Sequence, residues 1–245
     1  MALDVRMAVG KLIRLPLRLV PRERPLHVLA GPLRGARWIP GSGVHGYWLG
    51  RFEPAAMTLF ASLVHDGATV FDVGAHVGYY SLLASRLVGA QGHVVAFEPL
   101  PRNLGYLRRH VALNAATNVR VIGAAVADVP GRATFEEGAS GAEGMLGPGG
   151  TLDVEVVTLD SVAYDAAGVA PPSVLKIDVE GAEQRVLLGA ERILTEAKPD
   201  ILLSTHGREN YVGCQVILAR HGYQVRQMAG EIKGTELFAT TRGRP

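Results

Sequence analysis

Cys214 is the single cysteine among 245 residues, so no disulfide can close within the chain, and a lone thiol fits a reducing compartment. Aromatic residues are scarce at 6%. No uncharged apolar run approaches the ~20 residues that a membrane span needs, so no transmembrane helix is expected. Excess charge is also missing: the formal net charge is +2. That small value hides an asymmetry. Residues 1–24 hold Arg6, Lys11, Arg14, Arg18, Arg22 and Arg24 against Asp4 and Glu23, which places +4 on this arm and leaves −2 for the rest. The body therefore lacks the basic face that binding to nucleic acid requires. The arm also lacks the unbroken apolar stretch of a signal peptide, because arginines and Pro16, Pro21 and Pro25 interrupt it. A cytoplasmic location is expected. The arm has two readings, a peripheral contact with a membrane or partner, or a helix that packs on the domain or frays. No internal repeat or heptad pattern is present, and nothing in the sequence sets an oligomeric state.

The apolar content, 48%, is ample for one large core. The chain is organised around Thr69 to Ser81, TVFDVGAHVGYYS. Val70, Phe71 and Val73 form the short apolar run of a strand buried on both faces. Gly74 ends it, Gly78 follows, and SLLASRLVG reads as a helix with Leu82, Leu83 and Leu87 on one face. A strand, a glycine turn and a helix place backbone N–H groups around a polar ligand. The spacing is GxxxG, with Asp72 two residues before the first glycine. A dinucleotide pyrophosphate calls for GxGxxG and no adjacent carboxylate, whereas an acid here suits an ammonium or sulfonium ligand.

In HVVAFEP, residues 93–99, Val94, Val95, Ala96 and Phe97 form a second buried strand with Glu98 at its C-terminal end, 24 residues after Gly74. An acid at that point of a doubly wound sheet reaches ribose hydroxyls. Pro101 to Asn114 reads as a helix with Leu104, Leu107, Val111 and Leu113 inward, and Asn118 to Val126 as one continuous third strand. Two strand-like runs, ATFEE and LDVEVVTL, flank the glycine-rich residues 137–150 and form a hairpin-like insertion. The segment between them is either a closing loop or a plain solvent loop. Ahead of the core, residues 31–53 are rich in glycine and hold both tryptophans. His45, Tyr47, Trp48 and Glu53 are candidates to cap the ligand, against the alternative of ordinary packing. Pro54 to Val64 reads as a helix with Met57, Phe60, Ala61 and Val64 inward.

The other informative stretch is SVLKIDVEGAEQRVLLGA, residues 173–190. Lys176, Asp178 and Glu180 alternate with Leu175, Ile177 and Val179. Three charges on one face of a central strand are costly unless they are paired or face a cleft. Clefts in open α/β sheets lie at the carboxyl ends of the strands. The helix that follows carries Glu183 in its first turn, where the helix dipole alone explains an acid. Lys198 to Gly207 gives a fifth strand, DILLSTHG, with His206 at its carboxyl end, which should lie beside Asp178 and Glu180. Two closing strands, YQVRQM and ELFATTR, joined by the EIKGT turn, read as an edge hairpin.

Taken together, VFDVGAHVGYYSL, VVAFEP, AVAD and above all LKIDVEGAEQRVLLGA resemble the FkbM family of S-adenosylmethionine (SAM) dependent methyltransferases, over roughly residues 45–240. The resemblance implies the class I methyltransferase fold, a Rossmann-like α/β domain. It has a seven-stranded sheet, helices on both faces and an antiparallel last strand, here with an N-terminal extension. The chain then divides into an arm and cap segment, 1–53, and a methyltransferase domain, 54–245, with its core at about 70–230. The resemblance implies SAM as cofactor, held by Asp72, Gly74, Ala75, His76, Gly78, Tyr79, Glu98, Pro99, Asn103, Ala125, Val126 and Asp178. It implies O-methylation of a hydroxyl on a polyketide, sugar or related small molecule.

For the chemistry, an imidazole with an ordinary pKa near 6.5 suits a general base, so His206 is the candidate, with Asp178 and Glu180 beside it. The same three side chains could instead ligate a divalent metal, which is not expected. An NAD-dependent oxidoreductase or epimerase shares the strand–turn–helix, but the absent GxGxxG and the closing hairpin argue against it. A binding protein without activity is opposed by the intact Asp72, Gly74, Gly78, Glu98 and Asp178.

Overall fold

The computed structural model describes residues 20–137, 144–146, 150, 152–165, 169–228 and 235–243. The chain forms two compact units, Met1–Phe52 and Glu53–Pro245. The readings of residues 1–19, of most of the glycine-rich loop and of the EIKGT turn lie outside the described residues.

The first unit has a two-stranded antiparallel ribbon, β1 (Leu26–His27) and β2 (Arg37–Trp38), and a short helix, α1 (His45–Leu49). The second unit opens with α2 (Pro54–Leu63), whose buried residues are Ala56, Met57, Phe60 and Leu63. Ala61, expected inward, is only half-buried. Then come β3 (Thr69–Val73), α3 (Tyr79–Leu87), β4 (His93–Phe97), α4 (Pro101–Leu113) and β5 (Val119–Ile122). The short strands β6 (Ala125–Val126), β7 (Gly131–Glu137), β8 (Gly144–Leu146) and β9 (Leu152–Val157) follow. The chain closes through β10 (Val174–Ile177), α5 (Glu183–Leu188), β11 (Asp200–Thr205), α6 (Arg208–Arg220), β12 (Gln224–Gln227) and β13 (Thr235–Thr240).

Seven strands make the main sheet in the order β12-β13-β11-β10-β3-β4-β5. All its neighbours pair in parallel except β13, which runs antiparallel to both β11 and β12. The two closing strands therefore fold back at one edge, with the last inserted inside the last but one. The sheet is covered on both faces. Phe71, Val73, Leu175, Ile177, Ile201 and Leu203 pack with Val186 and Leu187 of α5 and Ile217 and Leu218 of α6. On the opposite face Ala96 packs against Leu107 of α4.

Two readings are corrected. Asn118 to Val126 is not one strand: β5 stops at Ile122, and β6 joins a separate four-stranded sheet of order β6-β9-β7-β8. The hairpin expected after the third strand is the β7–β9 pair of that sheet. Second, β10 ends at Ile177, so Lys176 alone is a charged residue within the strand. Asp178 and Glu180 lie in the loop beyond, with Glu180 in the left-handed region at φ 51°.

Candidate functional site

Four parallel strands end side by side, and each hands its successor loop to the same edge. Gly74 follows β3, Glu98 follows β4, Asp178 follows β10 and His206 follows β11. The loop after β3 is held by its own backbone: the N–H groups of Gly74 and Ala75 both donate to the Phe97 carbonyl. Gly74 has φ +76°, and a Cβ built there would overlap the Asp178 carbonyl oxygen. Only glycine allows the two loops to approach so closely. At Gly78, φ is +92° and a Cβ would stand 2.5 Å from Leu107 Cδ1.

Glu98 is 4% exposed. One of its oxygens accepts the His76 N–H at 2.8 Å and the other the Leu100 N–H at 2.9 Å. The carboxylate thus staples the loop after β3 to the start of α4, and the Asn103 side chain hydrogen-bonds it as well. Burial pushes the carboxyl up to about 7, against these two N–H groups and the Asn103 side chain. Ala75, Tyr79, Asn103, Ala125 and Val126 are buried, while His76 and Pro99 are partly exposed.

Asp72 is fully buried and accepts a 2.6 Å hydrogen bond from Ser81 Oγ. It stands in register with Lys176 on the neighbouring strand. Burial raises its carboxyl, and the Lys176 ammonium only partly offsets this. Lys176, 4% exposed, donates to Asp178 Oδ2 at 3.1 Å and lies 4.9 Å from the centre of the Tyr80 ring. Burial alone would lower it, but the carboxylates of Asp178, Asp72 and Glu53 outweigh burial and raise it, so it stays an ammonium. Glu53 completes the group by accepting from Tyr80 Oη at 2.8 Å.

His206 meets three carboxylates. Its Nδ1 lies 2.7 Å from Glu183 Oε1, while its Nε2 lies 3.4 Å from Glu180 Oε2 and 3.9 Å from Asp178 Oδ1. The bond to Glu183 raises the imidazole, against burial, and Glu180 and Asp178 add to it. One ligand atom from each of Asp178, Glu180 and His206 falls within 4.8 Å of the others, a spacing that a divalent cation can bridge. The three residues expected together are thus side by side. Glu183, set aside as a helix-dipole acid, is fully buried beneath the imidazole. No local pattern marks it, since its partner lies 23 residues away.

In the first unit, Trp48 Nε1–H donates to His45 Nδ1 at 3.1 Å. The Tyr47 ring lies 5.3 Å from Trp38 and 4.5 Å from Phe52. Tyr47 and Trp48 are buried and His45 is exposed.

The residues fit a nucleoside with a charged tail: a buried carboxylate at the carboxyl end of β4, a loop that excludes any Cβ, and an acid beside a buried ammonium. Comparison with known proteins agrees with that chemistry. The Methyltransferase FkbM domain matches residues 72–232. The 31-O-demethyl-FK506 methyltransferase FkbM of Streptomyces tacrolimicus is 30% identical over 197 residues, which cover 66% of this chain and 75% of that protein. The AMB antimetabolite synthetase AmbE of Pseudomonas aeruginosa is 29% identical over 265 residues, 84% of this chain but 12% of that protein. This chain therefore spans a small part of AmbE. The crystal structure of methyltransferase FkbM from Methylobacillus flagellatus superimposes with a TM-score of 0.52 at 20% identity, covering 75% of this chain and 50% of that one. That likeness speaks for the fold. Among the described residues no helix is long and apolar enough to cross a membrane. With more than half of its length matched by the family model, the chain belongs to the FkbM family of SAM-dependent methyltransferases.

Proposed function

We propose that the protein methylates a hydroxyl on a small molecule, a polyketide, sugar or related acceptor, with His206 as the base. One observation carries this reading. His206 sits at the end of β11 with Nδ1 engaged by Glu183 and Nε2 turned to the partly exposed Asp178 and Glu180. Glu98 would accept the ribose hydroxyls, and the turn from Gly74 to Gly78 would pass close under the nucleoside. Asp178 would hold the ammonium of the methionyl end. When bound, SAM supplies a methyl on a sulfonium: the acceptor oxygen forms the C–O bond as the C–S bond breaks, and the electron pair leaves on sulfur. Nε2 takes the acceptor's proton, and the resulting imidazolium, flanked by Glu180 and Asp178, returns it to water. Five carboxylates, Glu53, Asp72, Asp178, Glu180 and Glu183, surround or neighbour Lys176 and His206. That balance disfavours an anionic acceptor.

The test is a panel of sugars, polyols and phenols incubated with methyl-labelled SAM, with the product's new bond located by NMR. Transfer to oxygen is expected. With the acceptor so found, His206→Ala should reduce turnover by ~10²–10⁴-fold and leave S-adenosylhomocysteine affinity unchanged. Full turnover in that variant removes the base assignment. Activity lost to a chelator and restored by Mg²⁺ would make His206 a ligand.

A further inference from the structure

We infer that Glu183 is a positioning residue that fixes the His206 imidazole as its Nδ1–H tautomer and so leaves the Nε2 lone pair facing the acceptor. This rests on the base reading above and adds to it a residue with no visible contact of its own with the ligand site. The geometry is specific. Glu183 Oε1 lies 2.7 Å from His206 Nδ1 and accepts the Gly181 N–H at 2.9 Å; an ionised carboxylate can only accept, which puts the proton on Nδ1. Its other oxygen, Oε2, is buried with no hydrogen-bond partner among the described residues. A fully buried carboxylate with one oxygen unserved is a poor stabilising device, because burial of a charge costs several kcal/mol unless well compensated. Satisfying the Gly181 N–H would not require it, since an exposed acid could cap that turn equally well.

The surroundings hold both partners still. Asn210 Nδ2 donates to the carbonyl of His206 and to that of Gly181, each at 3.0 Å. Gln184 Nε2 in turn donates to Asn210 Oδ1 at 3.1 Å. The loop after β11 and the loop before α5 are therefore tied at their backbones, and Glu183 and His206 meet between them. The contrast between the two ring nitrogens is the second point. Nδ1 makes a short hydrogen bond, whereas Nε2 has acid oxygens only at 3.4 and 3.9 Å, beyond a direct charge-assisted bond. An imidazole whose Nδ1–H is committed to a carboxylate presents an acceptor at Nε2, as a base must.

The experiment is ¹⁵N NMR of histidine-labelled protein at a pH where His206 is neutral, with His206→Ala used to assign its signals. It is combined with Glu183→Gln and Glu183→Ala. Wild type should show a protonated Nδ1 and a lone-pair Nε2. Glu183→Gln keeps an acceptor oxygen for both donors, so it should fold and retain the tautomer in part. Glu183→Ala should shift His206 toward the Nε2–H form. With an acceptor in hand, kcat should fall by between about 10- and 10⁴-fold in the alanine variant, less in the glutamine variant, while KM for SAM changes little. An Nε2–H tautomer in wild type overturns the inference whatever the activity. The predicted tautomer together with full turnover in His206→Ala retains the positioning and rejects the base reading instead. Should Glu183→Ala fail to fold, the wild-type spectrum and Glu183→Gln decide the question.

Discussion

If Glu98 holds the ribose, binding of the nucleoside must charge it, and the charge can be followed. The folded protein places this carboxyl at about 7 instead of its ordinary 4.5, because burial outweighs its backbone donors. The gap is worth on the order of 3 kcal/mol. Its sign follows from which form the fold prefers. The protonated form is favoured, so the contribution to stability is complete below pH 4.5 and is lost as the pH rises to about 7. A ribose whose hydroxyls donate to the carboxylate favours the ionised form. At pH 6 roughly nine-tenths of the free protein carries the proton, which must leave on binding. Affinity at pH 6 should therefore be about tenfold weaker than at pH 8, or ~1.4 kcal/mol. The probe is 5′-methylthioadenosine, which carries the ribose and has no group of its own titrating in this range. Calorimetry in two buffers of different ionisation enthalpy should register about 0.9 proton released at pH 6 and almost none at pH 8. Glu98→Gln should abolish the pH dependence and weaken binding at pH 8 by roughly 10- to 100-fold, the scale of lost hydrogen bonds to a charged group. Affinity that is level from pH 6 to 8 without proton release, or unchanged in Glu98→Gln, would refute the reasoning.

Gly74→Ala forces φ +76° on a residue with a Cβ aimed at the Asp178 carbonyl. It should lower Tm by roughly 5 °C or more and abolish cofactor binding. Gly105→Ala is the control, since nothing lies within 4 Å of that position on α4, and it should raise stability by ~0.5–1 kcal/mol. His110, buried with Nδ1 on the Val77 carbonyl, is pulled by burial from 6.5 to about 4. Its contribution is present above pH 6.5 and is lost as the pH falls toward 4. Glu98 acts with the opposite sign over much of that range. Urea unfolding of His110→Gln should therefore show stability rising from pH 7 to pH 5, where wild type stays nearly level.

What the sequence made legible was whatever short-range pattern could carry. Val70–Val73 and Val94–Phe97 announce buried strands, and a glycine turn followed 24 residues later by an acid announces a nucleoside site. The seven-stranded sheet with an antiparallel last strand came with the family resemblance. The break at Gly123 was not legible, because in NVRVIGAAV the polar residues, Asn118 and Arg120, both lie before it and the rest is apolar or glycine. What divides it is the pairing of Ala125 and Val126 with Val156 and Val157, a contact that no local periodicity reports. Strict alternation from Lys176 to Glu180 likewise looked like one strand, although the strand stops at Ile177. Glu183 was hidden for a different reason. Its place in a first helical turn had a sufficient local explanation, and its burial depends on His206 being brought over it by β11. Lys176 shows the same limit. Its charge was visible, but not that three carboxylates from β3, the start of α2 and the loop after β10 would converge on it.

Asp178 stands where the two halves of the site join. Its N–H donates to the Val73 carbonyl, and its own carbonyl abuts Gly74, so its backbone is fixed by the turn after β3. Its side chain divides its oxygens, Oδ2 to Lys176 at 3.1 Å and Oδ1 toward His206 Nε2 at 3.9 Å. A charge shared in this way should serve both the methionyl end of the cofactor and the imidazole. Asp178→Asn preserves the shape and leaves Lys176 with Asp72 and Glu53, so the fold should survive. S-adenosylhomocysteine, which carries the amino-acid end, should bind roughly 10- to 100-fold more weakly to this variant. Binding of 5′-methylthioadenosine, which lacks that end, should be almost unchanged. Turnover should also fall, and combining Asp178→Asn with His206→Ala should cost less than the two losses added together, because both act on one proton transfer. Equal weakening of the two ligands would instead mean that Asp178 acts through Gly74 and the turn. Undiminished S-adenosylhomocysteine affinity would confine Asp178 to the acceptor side.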